Sequence, residues 1–268
     1  MPATVPMFNG SMPAFYDRYL GPVAFVPYAV EMARRVRGVN PTRVLETACG
    51  TGIVTYSIAD AFPEGLEIVA TDLSQPMLDF ASAKRPASSV VWHQADALDL
   101  PFADASFDAV VCQFGIMFFP DKLKGMREAR RVLKPTGYFL FSVWDSLQDN
   151  ELPRTSALAI AAMFPDDPPT FIQRVPYGYN DPVAIKAQLH DAGFKVVEVD
   201  KVAKKLEVSS ARDYACGAAQ GGPLRNEIEK RDADGLERAT ELATRAIENR
   251  FGQGSFTADS QALFFSAR

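Results

Sequence analysis

Between Arg43 and Trp144 the chain alternates short apolar runs with segments of helical length, and this restricts its folding more than any other feature. Arg43–Ala48, Glu67–Thr71, Val90–Gln94, Phe107–Phe114 and Tyr138–Trp144 read as strands. Ile53–Phe62, Gln75–Lys84 and Lys122–Leu133 read as helices between them. The strands are apolar almost throughout, not at every second position, which is the pattern of a parallel sheet covered on both faces. Ser74 and Pro76 mark a helix start, and Lys134-Pro135-Thr136-Gly137 a helix stop. The predicted class is therefore α/β, with a mostly parallel sheet.

The flanks are less regular. Val23–Val36 places Phe25, Ala29, Met32, Ala33 and Val36 on one helical face, and Pro41 ends it. From Ser146 to Asp181 prolines surround one short apolar helix, Ala157–Phe164, which reads as an insertion over the sheet edge. A helix at Pro182–Ala192, a strand at Phe194–Val208, an amphipathic stripe from Leu236 to Ile247 and a strand at Leu263–Ala267 complete the reading. The expected division of a single domain is an N-terminal helical cap (1–40), a core (41–145), a lid (146–181), and the rest of the sheet with inserted helices (182–268).

The 268 residues, 47% hydrophobic and 23% charged, can build a full core. A formal net charge of −5 argues against nucleic acid as the main partner. Cys49, Cys112 and Cys216 are far apart and form no metal-ligand pair, so no metal is expected and a reducing compartment fits. No basic stretch leads into an apolar run at the start, and no apolar run is long enough to span a bilayer. The expectation is a cytoplasmic protein, a monomer or a homodimer.

Three strand ends carry acids in order. Glu46 is followed by the small-residue turn Thr47-Ala48-Cys49-Gly50-Thr51-Gly52, Asp72 ends the second strand, and Asp96-Ala97 follows the third. Glycines let such a turn approach a ligand closely, and an acid about twenty residues on is placed to accept from ribose hydroxyls. Glu46–Gly52, Asp72-Leu73-Ser74 with Met77-Leu78, Asp96-Ala97, Ser106-Phe107-Asp108 and Leu133–Gly137 together resemble the motifs of class I S-adenosylmethionine-dependent methyltransferases, nearest the group with quinone-biosynthesis and natural-product enzymes. The resemblance runs from about Arg43 to Asp145. It implies a Rossmann-like seven-stranded sheet whose last strand is antiparallel, with S-adenosylmethionine as cofactor and S-adenosylhomocysteine as product.

The resemblance also implies roles. Ala48, Cys49 and Gly50 line the methionine portion, Gly52 belongs to the cofactor-binding turn, and Glu46 reaches the amino group through water. Asp72 holds the ribose, Leu73 and Met77 pack on adenine, Asp96 and Ala97 select its edge, and Gln113 offers backbone contacts. Ala48 stands where the motif has its first glycine, which is tolerable if its φ stays negative.

On the acceptor side, methyl transfer asks mainly for alignment in a water-poor pocket. Phe114, Phe118, Trp144, Asp145, Tyr177 and Tyr179 are candidate contacts with a small-molecule acceptor, and Tyr16 and Tyr19 resemble N-terminal tyrosines that close over the ligand. No general base is identified. Two other readings compete. A nicotinamide-dependent oxidoreductase would want glycine or alanine at position 55, where this chain has Thr55. A non-catalytic S-adenosylmethionine-binding regulator would need no acceptor.

Overall fold

The structure is a computed structural model that describes residues 10–62, 64–86 and 89–268. The first nine residues of the expected N-terminal cap lie outside them.

The five expected core strands form in order: β1 (Arg43–Glu46), β2 (Glu67–Asp72), β3 (Val91–Gln94), β4 (Phe107–Gln113) and β5 (Leu133–Trp144). β6 (Val197–Val208) and β7 (Phe256–Ala267) complete one seven-stranded sheet, ordered β3-β2-β1-β4-β5-β7-β6. All neighbours are parallel except β7, which runs antiparallel to both β5 and β6. The expected Rossmann-like α/β sheet with an antiparallel last strand is therefore what forms. Its core strands are buried on both faces, with Val44, Leu45, Val110, Val111, Phe139 and Phe141 all almost inaccessible, as covering helices require.

α1 (Met12–Phe15) is a short helix in a stretch whose sequence carries no clear period, whereas α2 (Val26–Val39), α3 (Ile53–Ala61), α4 (Gln75–Lys84), α5 (Lys122–Val132) and α8 (Pro182–Asp191) form close to where the sequence places helices. Asn40, in the left-handed conformation at φ 48°, stops α2, a role its short polar side chain tolerates. α5 ends one residue early. Its stop signal, Lys134–Gly137, is not a turn between elements but an irregularity inside β5, where the register jumps from Leu133 opposite Phe107 to Tyr138 opposite Ala109. A Cβ on Gly137 would stand 3.0 Å from the Asp108 carbonyl oxygen, so the crossing is too close for a side chain.

Tyr16–Phe25, between α1 and α2, is π-helical. Pro22 sits inside it and has no N–H to donate, and π-type bonding is the wider alternative that accommodates such a break.

The proline-rich segment, expected as an insertion or lid around one short helix, holds more helix than that. α6 (Glu151–Ala161) begins six residues before the short helix expected there, and α7 (Phe171–Arg174) follows. They share a second core with α9 (Ala211–Gln220), α10 (Leu224–Arg231) and α11 (Leu236–Phe251), built on Leu152, Ile160, Phe171, Tyr214, Ile228, Ala243 and Ile247. Burying each large aliphatic there contributes about 1.5–3 kcal/mol, so this cap is held by its own packing. β7 also starts seven residues before the expected Leu263, because Phe256–Ala262 pairs with Val202–Val208 of β6. Among the described residues, no helix is long and apolar enough to cross a membrane.

Candidate functional site

The sheet order reverses direction between β1 and β4, so the loops leaving these two strands diverge and open a crevice at their carboxyl ends. Thr47–Gly52 is one of those loops. It is pinned from both sides: Thr47 N donates to Val111 O and Cys49 N to Thr71 O, each at 2.9 Å. Ala48, Gly50 and Gly52 have φ of 53°, 54° and 77°. A negative φ was the condition for tolerating alanine at position 48. The condition is not met: its neighbours' hydrogen bonds to β2 and β4 hold the loop in a path that gives Ala48 a positive φ.

A Cβ on Gly50 would meet nothing within 4 Å, whereas one on Gly52 would stand 2.9 Å from the Trp92 ring. Gly52 therefore packs against the sheet, and Gly50 faces open space. α3 starts at Ile53 with no side chain capping its N-terminus, leaving donors and a partial positive charge at the crevice.

Asp72 ties this loop to the next strand. Its Oδ2 accepts from Gly50 N and its Oδ1 from Ser74 N, both at 2.8 Å. Burial raises its pKa against the pull of these amides. Leu73, beside it, leaves 47% of its surface exposed, while Met77 is buried beneath. Asp96 is exposed, with Oδ1 accepting from Leu98 N at 2.9 Å, and Ala97 is half-buried.

Glu46 is 2% exposed, and Thr55 Oγ1 donates to its Oε2 at 2.5 Å. Burial pushes the Glu46 carboxyl up to about 8, helped by the charge of Asp72. Thr55, noted in the sequence only as a departure from a nicotinamide pattern, is thus the one side chain bonded to this acid among the described residues. Thr51 Oγ1 and Gln113 Oε1 are buried without a partner among the described residues. Such orphaned polar atoms at a crevice fit a ligand with hydrogen-bonding groups.

The acceptor-side candidates separate into two groups. Phe114, at φ 52°, stacks on Trp144 with ring centroids 3.7 Å apart, and Tyr177 stacks on the far side of Trp144 at 5.8 Å. Phe25 and Tyr28 close the cluster, and Tyr16 stacks on Phe25 at 4.6 Å while lying near enough to Asp72 to feel its charge. Asp145 borders it, buried, with Oδ2 paired to Lys201 Nζ at 2.7 Å. Tyr19, Phe118 and Tyr179 lie apart. Tyr19 lines a cavity of about 110 Å³ with Arg18 and Tyr214, Phe118 faces Phe171 of the cap, and the Tyr179 hydroxyl donates to Gln188. Tyr28 was absent from the sequence reading, although it follows Phe25 at helical spacing; a polar-tipped residue on a core face carries no separate signal.

Residues 45–141 match the methyltransferase domain family. Demethylmenaquinone methyltransferase of Deinococcus radiodurans is 44% identical over 100 residues, 37% of this chain and 41% of that protein. The chain thus matches less than half the length of this relative. Among solved structures, the S-adenosyl-L-methionine complex of Haemonchus contortus phosphoethanolamine N-methyltransferase 2 is similar at TM-score 0.59 and 17% identity, covering 95% of this chain and 56% of that one. The cyclase SpnF is similar at TM-score 0.58 and 19% identity, covering 96% and 93%. At these identities the structures speak for the fold. The family match is confined to residues 45–141.

Proposed function

We propose that the chain transfers a methyl group from S-adenosylmethionine to a small, largely apolar acceptor held against the Phe114–Trp144–Tyr177 cluster. The observation that carries this reading is the loop Thr47–Gly52 at the strand-order switch, fastened to Asp72 through Gly50 N–H and carrying the unpartnered Thr51 hydroxyl.

In this reading Glu46 and the Ala48–Gly50 backbone hold the amino-acid end of the cofactor. Asp72 takes the ribose hydroxyls with lone pairs that its two amide bonds leave free. Leu73 and Met77 form the adenine slot with Asp96 and Ala97, and the adenine would cover the exposed face of Leu73. When bound, the sulfonium supplies an electrophilic methyl carbon.

The protein's task is then to align a nucleophile and keep water out. The stacked rings give an apolar wall at the sheet edge, and Tyr16 and Phe25 of the π-helical segment cover it. Burial raises the pKa of Tyr28 to about 12 and keeps Tyr177 and Tyr214 protonated as well. The Tyr28 hydroxyl already donates to Ser260, so of these the Tyr177 hydroxyl, beside Trp144, would orient an acceptor by donating a hydrogen bond and would not take its proton. Quinol-like acceptors, suggested by the Deinococcus relative, suit such a wall.

A second reading has an observation behind it: the similar structure of a cyclase, which places a different named chemistry on this fold. One assay separates the two. Incubation with methyl-labelled S-adenosylmethionine and a panel of quinols, phenols and amines should give labelled product and stoichiometric S-adenosylhomocysteine. Acceptor consumed without S-adenosylhomocysteine would favour the second reading.

A further inference from the structure

We propose that Glu46 is uncharged in the free protein and gives up its proton when the cofactor's amino-acid end arrives, so that cofactor binding releases a proton. This rests on the cofactor assignment above and goes beyond it, since that assignment says nothing of the acid's charge.

Glu46 ends β1 between β2 and β4, and its backbone oxygen accepts from Thr71 Oγ1 at 2.9 Å. Its carboxyl is 2% exposed and receives one side-chain hydrogen bond, from Thr55 of α3. The titratable groups facing it from the other elements are Asp72 at the end of β2, Cys49 in the loop and Cys112 in β4. Each of these is neutral or negative. Among the described residues, no lysine, arginine or histidine contributes to its titration.

A buried carboxylate with no cation is expensive, and the group avoids the cost by staying protonated. The pKa of about 8 agrees with that surrounding. The ammonium group of an amino acid is the cation the site lacks. Its arrival favours the carboxylate, the O–H bond of Glu46 breaks, and the proton passes to solvent. The product is an ammonium–carboxylate pair, and charge is conserved.

Titration calorimetry with S-adenosylhomocysteine near pH 6.5, in buffers of different ionisation enthalpy, reads the proton directly. At that pH a ligand α-amino group is already largely charged and Glu46 largely neutral. The wild type should release about one proton per ligand bound, and its affinity should rise roughly tenfold from about pH 6 to 7. Glu46→Gln should release none and bind with little pH dependence.

Methylthioadenosine has the nucleoside and thioether without the amino-acid end. It should bind the wild type with no proton release, which keeps the test decisive if Glu46→Gln binds too weakly to titrate. Binding of S-adenosylhomocysteine without proton release, or the same release from methylthioadenosine, would overturn the inference alone. Failure of both ligands to bind the wild type would overturn the cofactor reading, and the inference with it.

Discussion

Ala48 and Gly115 share one space at the β1/β4 crevice: a Cβ on Gly115 would stand 2.5 Å from the Ala48 Cβ and 2.8 Å from Cys112 Sγ. The alanine that replaces the first motif glycine is thus accommodated by a glycine in the facing loop. Gly115→Ala should destabilise by about 1–3 kcal/mol through overpacking. Ala48→Gly should be mildly stabilising, by up to about 1 kcal/mol, because alanine at φ 53° is strained. The double variant should recover part of the loss, the clash with Cys112 Sγ remaining. Denaturant unfolding of the four proteins measures the coupling, and strictly additive effects would mean that the two residues do not compete.

That pairing marks where the sequence could be read and where it could not. Strand positions were legible because the apolar runs and the acids at their ends report on local burial and on the loop that follows. Glu46, Asp72 and Gln113 accordingly meet at one sheet edge. The φ of Ala48 was not legible, since hydrogen bonds from β2 and β4 set it and nothing local to the alanine does. The extent of helix in the cap was not legible for a similar reason. Proline density suggested a single short helix, yet Leu152 and Ile160 find partners in α9 and α11, far along the chain. Tyr28 was hidden because its hydroxyl acts through Ser260, which in turn donates to Asn150 Oδ1.

Asp72 joins two amides before any ligand is considered, so its removal has two consequences. Asp72→Ala should weaken S-adenosylhomocysteine binding by about 1.5–3 kcal/mol for each charged hydrogen bond lost. It should also loosen the loop, because Gly50 N and Ser74 N lose their acceptor. Asp72→Asn keeps one carbonyl oxygen and should lose affinity with a smaller drop in melting temperature. Calorimetry and thermal unfolding on both variants check this. Unchanged affinity in a folded Asp72→Ala would remove the residue from the site.

Glu46 and Asp108 should bend the stability curve in opposite directions. The native pKa of Glu46, about 8, lies above its ordinary 4.5, so the native state holds the extra proton between those values. Its contribution is fully present below about pH 4.5 and falls as pH rises towards about 8, by on the order of 4–5 kcal/mol for complete ionisation. Asp108 is held down to about 2 by Lys134, Thr42 and the Arg43 amide. Its contribution is present above about pH 4 and is lost as pH falls through about 2. Unfolding free energies of the ligand-free protein, compared with Glu46→Gln across this range, read the first effect. The variant should gain on the wild type steadily from about pH 5 to 8, and parallel curves would refute it.

The segments over the sheet edge should differ in how they open. α6 is built into a core with α9 and α11, where Leu152, Ile160, Ala215 and Ile247 are almost inaccessible, so its amides should exchange with those helices as one cooperative unit. Tyr16–Phe25 has wider, π-type hydrogen bonding interrupted by Pro22, and much of its surface is only half-buried. Its Tyr16 and Phe25 rings lie between Asp72 and Trp144, where cofactor and acceptor would meet. A cover that must move to admit them is drawn from the least stable part of the fold. Hydrogen exchange should therefore be fast over residues 16–25 in the free protein and markedly slower with S-adenosylhomocysteine, while α6 changes little. Equal slowing of α6 would return that helix to the role of a lid, and unchanged exchange at 16–25 would leave the π-helical segment as a fixed wall.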